Sequence, residues 1–204
     1  MNIQEEVKEI KQSFRLMMDG KVAQSMRDKG LDYHMNWGAT LPRLKEKADE
    51  IGKNYDLSIA LWKENVRECK ILATMIMPAE QMLPEVADIW MEQTPTIEIA
   101  EQAAFNLYQN LPYAADLAYR WLASENDLPQ MCGYHILTRL FTRKQEPNKR
   151  GINEFIDQAL VALQSSNLSL RKAAMQAVVR FADLSIMHKR IAHSAVASIG
   201  LDFL

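Results

Sequence analysis

The sequence is poor in glycine, proline and cysteine, and it lacks any long uninterrupted apolar stretch. Seven glycines and seven prolines among 204 residues are too few for the many tight turns of an all-β fold. No apolar run approaches the roughly 20 residues of a membrane-spanning helix. The segment Met1 to Lys8 is charged and lacks the apolar core of a signal peptide. We therefore expect a cytoplasmic protein with no membrane partner.

Cysteine and histidine are also too sparse to suggest a metal site. Cys69 and Cys132 lie on apolar helix faces, which predicts two buried thiols. The four histidines show no metal-ligand spacing, since His188 and His193 are five residues apart rather than the four that bring ligands onto one helical face. The sequence also contains no glycine-rich phosphate loop and no nucleophile–base motif. We expect neither a metal nor a cofactor.

What the sequence does contain is a repeated amphipathic helical pattern, clearest from Asp56 to Pro78. Asn65 followed by Glu68 predicts a capping box at the start of a second helix, and Pro78 ends that helix. One helical hairpin cannot bury both of its apolar faces, so it must stack on similar hairpins. The apolar positions at helical spacing are Leu57, Ala60, Leu61, Val66, Cys69, Leu72, Ala73 and Ile76, and Arg67, Lys70 and Thr74 lie on the opposite face.

Similar helical pairs follow along the rest of the chain. Pro84 restarts a helix at a first-turn position, and Thr96 caps the helix after it. From Leu170 to Phe181 an unbroken apolar stripe occupies one helical face. Pairs with short links and a repeat of roughly 35–40 residues predict an all-α protein, an α-α superhelix of HEAT-like helical-hairpin repeats with about 11–12 helices. We expect a single domain over residues 1–204.

The formal net charge of −2 conceals an uneven distribution of charge along the chain. From Met131 onward there are ten lysines and arginines against five acidic residues, a balance of +5. The preceding part has 14 basic and 21 acidic residues, a balance of −7. A basic segment on an acidic chain indicates a surface for nucleic acid, although solvated helix faces explain it equally well.

Several spaced motifs cover roughly residues 36–185, most of the chain. The central motifs are Leu-Ser-Ile-Ala-Leu-Trp at 57–62, Glu68, Ile-Leu-Ala at 71–73, Pro78 and Ala-Asp-Ile-Trp at 87–90. The later motifs are Asn106-Leu107-Tyr108, Trp121, the spacing from Asp127 to Leu140, and Arg171-Lys172-Ala173. Together these motifs make the chain resemble the AlkD-like DNA alkylation repair family.

This resemblance implies both a fold and a chemistry. The implied fold is a set of HEAT-like repeats bent into a concave, basic surface for duplex DNA. The implied chemistry is hydrolytic removal of N3- or N7-alkylated purines. Because an alkylated purine is a cationic leaving group, the enzyme mainly stabilises the oxocarbenium-like sugar with a carboxylate and positions water. Aromatic rings attract the cationic lesion, and an arginine holds the phosphate.

Carried onto this sequence, the resemblance keeps only one of four catalytic roles. The family's Trp-Asp-x-x-Asp pattern falls on residues 97–101, which makes Glu101 the candidate catalytic carboxylate and leaves Ile97 where a tryptophan is expected. Met131 occupies the position of the phosphate-binding arginine, and Gln176 that of a second tryptophan. The resemblance therefore implies alkylpurine glycosylase activity that is weak, altered or absent. The expected DNA-binding residues are Arg139, Arg143, Lys172 and Arg180.

Structural explanations compete with these functional ones. Glu98 and Glu101 lie in the first turns of a helix, where carboxylates offset the helix dipole without any catalytic role. Trp62, Trp90 and Trp121 have apolar neighbours at helical spacing, which predicts core positions. Trp37 lies in the irregular segment 31–38, and both a core position and a contact with the lesion stay open for it. The alternative function is a non-catalytic HEAT-repeat scaffold for a protein or peptide partner, which the acidic balance and the methionine-rich composition favour.

Overall fold

The computed structural model describes residues 2–204, and these residues form α-helices and no β-strand. The nearest approach to a strand among them is an isolated parallel bridge between Met35 and Val66. None of the helices in this range is both long and apolar enough to cross a membrane. The chain divides into two compact units, the first ending at Pro112 and the second running from Tyr113 to Leu204. A single repeat domain over residues 1–204 stays a prediction.

Seven α-helices belong to the first unit and five to the second. The described residues thus contain twelve α-helices, and the all-α prediction is confirmed. The first unit contains α1 Ile3–Leu16, α2 Gly20–Asp28, α3 Leu41–Ile51, α4 Tyr55–Trp62, α5 Arg67–Ile76, α6 Pro84–Glu92 and α7 Ile97–Asn106, with 3-10 turns at Ala79–Gln81 and Tyr108–Asn110. The second contains α8 Ala114–Leu122, α9 Asp127–Thr142, α10 Lys149–Leu163, α11 Leu168–Ala182 and α12 Ile186–Ser198.

Helix α5 is the central element of the first unit, where it contacts α3, α4 and α7. Every residue from Arg67 to Thr74 is buried, including the polar side chains of the face opposite the apolar one. Lys70 Nζ donates to the carbonyl of Trp62 at 2.9 Å. Thr74 Oγ1 donates to Ile71 O at 2.6 Å and accepts from Asn106 at 3.0 Å. Both faces of α5 are therefore packed, and its polar groups have partners, as buried polar groups must.

In the second unit, α9 and α11 pack against each other and against α8, α10 and α12. α9 pairs with α8, and α11 pairs with α10, so the unit consists of stacked helical hairpins. Between these helices the rings of Phe141, Phe155 and Phe181 pack with centroid distances of 5.1–5.6 Å. Such edge-on and tilted contacts are the favoured geometry for aromatic rings in a core. These ring contacts join α9, α10 and α11 in one core.

The helix boundaries follow local signals except at the start of α5. Pro84 begins α6, and Thr96 caps α7 by accepting from the backbone of Ile99. The capping box predicted from Asn65 and Glu68 is wrong, because Val66 is the cap residue and no side chain caps the helix. The carboxylate of Glu68 points elsewhere and accepts backbone N–H groups of Trp37 and Ala39, both at 3.2 Å.

Gly38 allows the irregular segment 31–39 to pass directly against the start of α2. Asp19 N donates to Trp37 O at 2.9 Å, and a Cβ atom on Gly38 would lie 2.1 Å from Asp19 O. Its φ of +72° is also a conformation that side chains disfavour. Gly30, at the end of α2, has a similar φ of +79° but open space around it. Comparing the two glycines therefore distinguishes the cost of a left-handed backbone conformation from the cost of a steric overlap.

We predict that Gly38→Ala is much more destabilising than Gly30→Ala. Gly30→Ala forces only a left-handed backbone on a side chain, which costs about 1–2 kcal/mol. Gly38→Ala adds a backbone overlap that must be relieved by moving α2, which costs at least about 2 kcal/mol more. Urea unfolding of both variants measures the difference. Equal losses of stability would show that the contact between Gly38 and Asp19 relaxes easily.

Candidate nucleic-acid interface

The two carboxylates at the start of α7 have different environments. Glu101 lies on the exposed surface of α7, one turn after the half-buried Ile97. The side chain of Glu98 is only 16% exposed and faces the buried guanidinium of Arg67. Glu101 alone of this pair is accessible to a ligand from solvent. Its catalytic role stays a prediction.

Arg67 binds Glu98 with both arms of its guanidinium. Nη2 donates to Glu98 Oε1 at 2.6 Å, and Nε donates to Oε2 at 2.9 Å. The hydroxyl of Tyr33 also donates to Glu98 Oε2, and it lies 2.8 Å from Thr96 Oγ1. Paired donation of this kind is the strongest arrangement between arginine and a carboxylate. The irregular segment that carries Tyr33 is thereby tied to the first turn of α7.

The third guanidinium nitrogen of Arg67 also has partners. Nη1 donates to Ala39 O at 3.0 Å and to Glu68 Oε1 at 3.2 Å. Burial acts to raise the pKa of Glu98, but the hydrogen bonds and charge of Arg67 outweigh it and hold that pKa below its ordinary value. Glu98 is therefore ionised and committed to Arg67. It has a structural role, as its position near a helix N-terminus already suggested.

A basic cleft lies in the second unit, along the C-terminal halves of α9 and α11. Its volume is about 530 Å³. Arg139 on α9 and Arg180 on α11 line it, so two of the four predicted DNA-binding residues share one site. Its remaining lining residues are Thr138, Thr142, Met175, Gln176, Val179 and Phe203. We refer to this site as the basic cleft.

The other two predicted cations, Lys172 and Arg143, extend the same helices. Lys172 is exposed on α11 one turn before Gln176, and Arg143 is exposed at the end of α9, one turn after Arg139. Arg139 and Arg180 also lie in the last turns of their helices, where positive charge offsets the helix dipole. The dipole explains their presence on each helix, while the packing of α9 on α11 brings them to a common cleft.

Arg180 forms an exposed, weak ion pair with Asp183. Its Nη1 lies 3.1 Å from Asp183 Oδ2, and both side chains are about half exposed. Exposed pairs of this kind contribute about 0–1 kcal/mol, so a phosphate can compete for the guanidinium. The partner residue Asp183 also accepts a hydrogen bond through its backbone carbonyl, from Lys144 Nζ at 2.5 Å.

Two of the positions that depart from the family pattern, Met131 and Gln176, have different environments. Met131 is buried in α9 and belongs to the core, so no cation could replace it without burying a charge. Gln176 is exposed and contributes an amide to the basic cleft. Phe203 is among the cleft residues that the sequence did not predict, because it follows the last helix and belongs to no periodic pattern.

The tryptophan and cysteine predictions are confirmed. Trp62 and Trp90 are buried, stacked with their ring centroids 4.1 Å apart, and Trp121 is buried as well. Trp37 is half-buried, with the guanidinium of Arg15 lying 5.8 Å from its ring centroid. The free thiols are Cys69 and Cys132, both buried, and burial raises the pKa of each. Within residues 2–204, no group of three histidine, cysteine or acidic side chains is arranged to hold a metal ion.

A larger groove lies in the first unit and is less suited to phosphate. It has a volume of about 670 Å³ and lies among α3, α5 and α7. Lys53 lines it, but its Nζ donates to the carbonyls of Met75 and Met77 at 2.9 and 3.1 Å, and burial lowers its pKa. Lys45 and Asp49 also line this groove and carry opposite charges. We therefore place the candidate interface at the basic cleft.

The chain is similar to known proteins in both sequence and fold. A family model described as DNA alkylation repair enzyme matches residues 10–175. The chain also matches a solved structure with a TM-score of 0.85. That structure is described as a new family of proteins related to the HEAT-like repeat DNA glycosylases with affinity for branched DNA structures. The identity is 16%, and the match covers 95% of this chain and 83% of that chain. This likeness confirms the HEAT-like repeat fold. No curated protein matches the chain.

We predict that Glu98→Ala strongly destabilises the first unit. It leaves the buried guanidinium of Arg67 without its main counter-charge, which costs about 3–5 kcal/mol. The control is Glu50→Ala, which removes the exposed partner of Lys47 at 2.9 Å and costs about 0–1 kcal/mol. Urea unfolding at pH 7 measures both. A loss for Glu98→Ala no larger than that of the control would contradict the structural role.

The loss of unfolding free energy caused by Glu98→Ala should depend on pH. Because the pKa of Glu98 is lower in the folded protein than its ordinary value of 4.5, its contribution to stability is present above 4.5 and is lost as the pH falls through the folded value. The difference in unfolding free energy between wild type and Glu98→Ala should therefore narrow on acidification. The Glu50→Ala difference should stay small throughout.

Proposed function

Because the chain belongs to the DNA alkylation repair enzyme family, we propose that it binds duplex DNA through the basic cleft of its second unit. The observation that carries this proposal is the placement of Arg139 and Arg180 in one cleft, on the two helices that wall it. A guanidinium presents planar paired donors to a phosphate, and it keeps its charge at every physiological pH. Two of them in one cleft can hold one phosphate or two adjacent ones.

Lys172 and Arg143 extend the contact along the backbone of the DNA. Each lies one helical turn from a residue of the cleft, which corresponds to about 5.4 Å along a helix. The positive balance of the chain from Met131 onward supplies the long-range attraction that brings a polyanion to this surface. Such contacts position the DNA without specifying its sequence. DNA binding is also compatible with the cytoplasmic location predicted from the sequence.

We further propose that base excision by this chain is weak and depends on Glu101. A carboxylate near the sugar stabilises the oxocarbenium-like transition state by its charge. Glu101 is exposed on α7, and it is the retained acid of the family pattern. Ile97, Met131 and Gln176 provide neither an aromatic ring for the lesion nor a guanidinium for the phosphate. Most of the rate enhancement expected of a glycosylase is therefore missing.

A scaffold for a protein partner is the second candidate function. The observation that favours it is the groove of the first unit, where Leu41, Pro42 and Phe105 provide an apolar lining and Phe105 is 49% exposed. An apolar groove between helices suits an amphipathic helix of a partner. Recovery of a stable protein partner without DNA would favour this function over DNA binding.

We predict that Arg139→Ala/Arg180→Ala weakens duplex binding and its salt dependence together. The slope of log affinity against log salt concentration is negative, and each lost phosphate contact reduces its magnitude by about one. The magnitude of the slope should therefore decrease by about two. Affinity should fall at least about tenfold at low salt. Fluorescence anisotropy with a labelled duplex over a salt series measures both quantities.

The matched control is Lys149→Ala/Arg150→Ala, which removes the same charge from the exposed start of α10. Its affinity should stay within about twofold of wild type, since it only changes the net charge. Thermal unfolding confirms that all variants remain folded. Binding by wild type that ignores salt, or equal losses for both double variants, would exclude the basic cleft as the DNA site.

We predict that release of 7-methylguanine is slow and is abolished by Glu101→Gln. The glutamine keeps the size of the side chain but removes the charge that stabilises the sugar cation. Single-turnover incubation of methylated duplex with excess protein, followed by chromatography of the free base, measures release. Glu92→Gln, at the exposed end of α6, is the control and should match wild type. Absence of release by wild type would leave DNA binding as the function and end the catalytic role of Glu101.

A further inference from the structure

Phe203 is brought into the basic cleft by a chain reversal at the end of α12. Gly200 has a φ of +76°, and Leu201 N donates back to Val196 O at 3.0 Å. This is the hydrogen-bond pattern of a glycine-terminated helix. It turns residues 201–204 away from the axis of α12 and back over the unit. As a result, Phe203 lines the same cleft as Arg139 and Arg180.

The cleft thus combines three kinds of chemistry within one site. The guanidiniums of Arg139 and Arg180 suit phosphate, and the exposed amide of Gln176 can exchange hydrogen bonds with the edge of a base. The ring of Phe203 adds a flat apolar surface, which is only partly covered by the protein. Cationic side chains beside an aromatic ring are the combination that binds nucleic acids with unstacked bases. Phosphate binding alone requires no such ring.

We propose that Phe203 stacks on an unpaired base while Arg139 and Arg180 hold the adjoining phosphates. The cleft would then favour DNA with bases already released from the stack, as at a branch, over uninterrupted duplex. In a duplex both faces of every base are covered, and exposing one requires unpairing, which is least demanding where the base is already unpaired. This inference rests on the proposed DNA binding, and it adds the structural class of DNA that the cleft selects.

Affinity for branched DNA is also the property named for the solved structure that this chain resembles in fold. That likeness does not identify a residue responsible for the preference in this chain. The position of Phe203 does, because it is the aromatic residue among those that line the basic cleft. Phe203 is thus proposed as a specificity-determining residue, distinct from the arginines that supply general affinity.

The test compares a three-way junction carrying an unpaired 2-aminopurine at its branch with a duplex of equal length. Wild type should bind the junction more tightly than the duplex and should quench the 2-aminopurine fluorescence through stacking. Phe203→Ala should lower junction affinity by about tenfold, a larger loss than for the duplex, and should abolish the quenching. Phe203→Tyr keeps an aromatic ring and should retain both properties. Leu204→Ala, next to it and outside the cleft lining, is the matched control.

The outcomes separate this inference from the proposed function. If Phe203→Ala keeps both the preference for the junction and the quenching, the stacking role is overturned while duplex binding at the basic cleft stands. If Phe203→Ala weakens duplex and junction equally, the residue contributes to general binding and the proposed selectivity is wrong. If wild type binds neither DNA at low salt, the proposed function fails and this inference fails with it.

Discussion

The first unit depends on one buried guanidinium. Arg67 is 2% exposed, and its donors reach Glu98 on α7, Glu68 on α5 and the carbonyl of Ala39. An ion at this depth is tolerated only because each guanidinium nitrogen has an acceptor and two carboxylates supply compensating charge. The irregular segment 31–39 can therefore cross the unit without regular secondary structure. Two of its backbone N–H groups, those of Trp37 and Ala39, donate to Glu68, a carboxylate that also neutralises the arginine.

Much of the fold follows from local patterns, and the exceptions have a common cause. Apolar periodicity fixes where helices such as α11 form, and Pro84 and Thr96 mark helix starts correctly because these signals act within one turn. The polar face of α5 resembled a surface because periodicity identifies faces without showing what covers them. Arg67 and Glu98 are 31 residues apart, so their pairing leaves no trace in a local pattern. The same partner choice diverts Glu68 from the expected cap.

For the candidate site too, composition predicts one part and the packing of the helices determines the rest. The excess of cations after Met131 is visible in the sequence, and it correctly marks the second unit as its basic part. Only the packing of α9 on α11 decides that Arg139 and Arg180 share a cleft. Phe203 had no local signal except the glycine that turns the chain toward it. The identity of Met131 as a core residue also required the structure, because sequence comparison showed only that no arginine stands there.

The two buried thiols have a consequence for the chemical resistance of the protein. The thiolate is the form of cysteine that reacts with electrophiles, and alkylating agents are electrophiles. Cys69 and Cys132 are each 0% exposed, and burial raises the pKa of Cys69 to about 12, so both sulfur atoms stay protonated and out of reach. A member of an alkylation repair family thereby presents no reactive sulfhydryl to the reagents that damage DNA. A cysteine engineered onto its surface would be a unique attachment point for maleimide dyes.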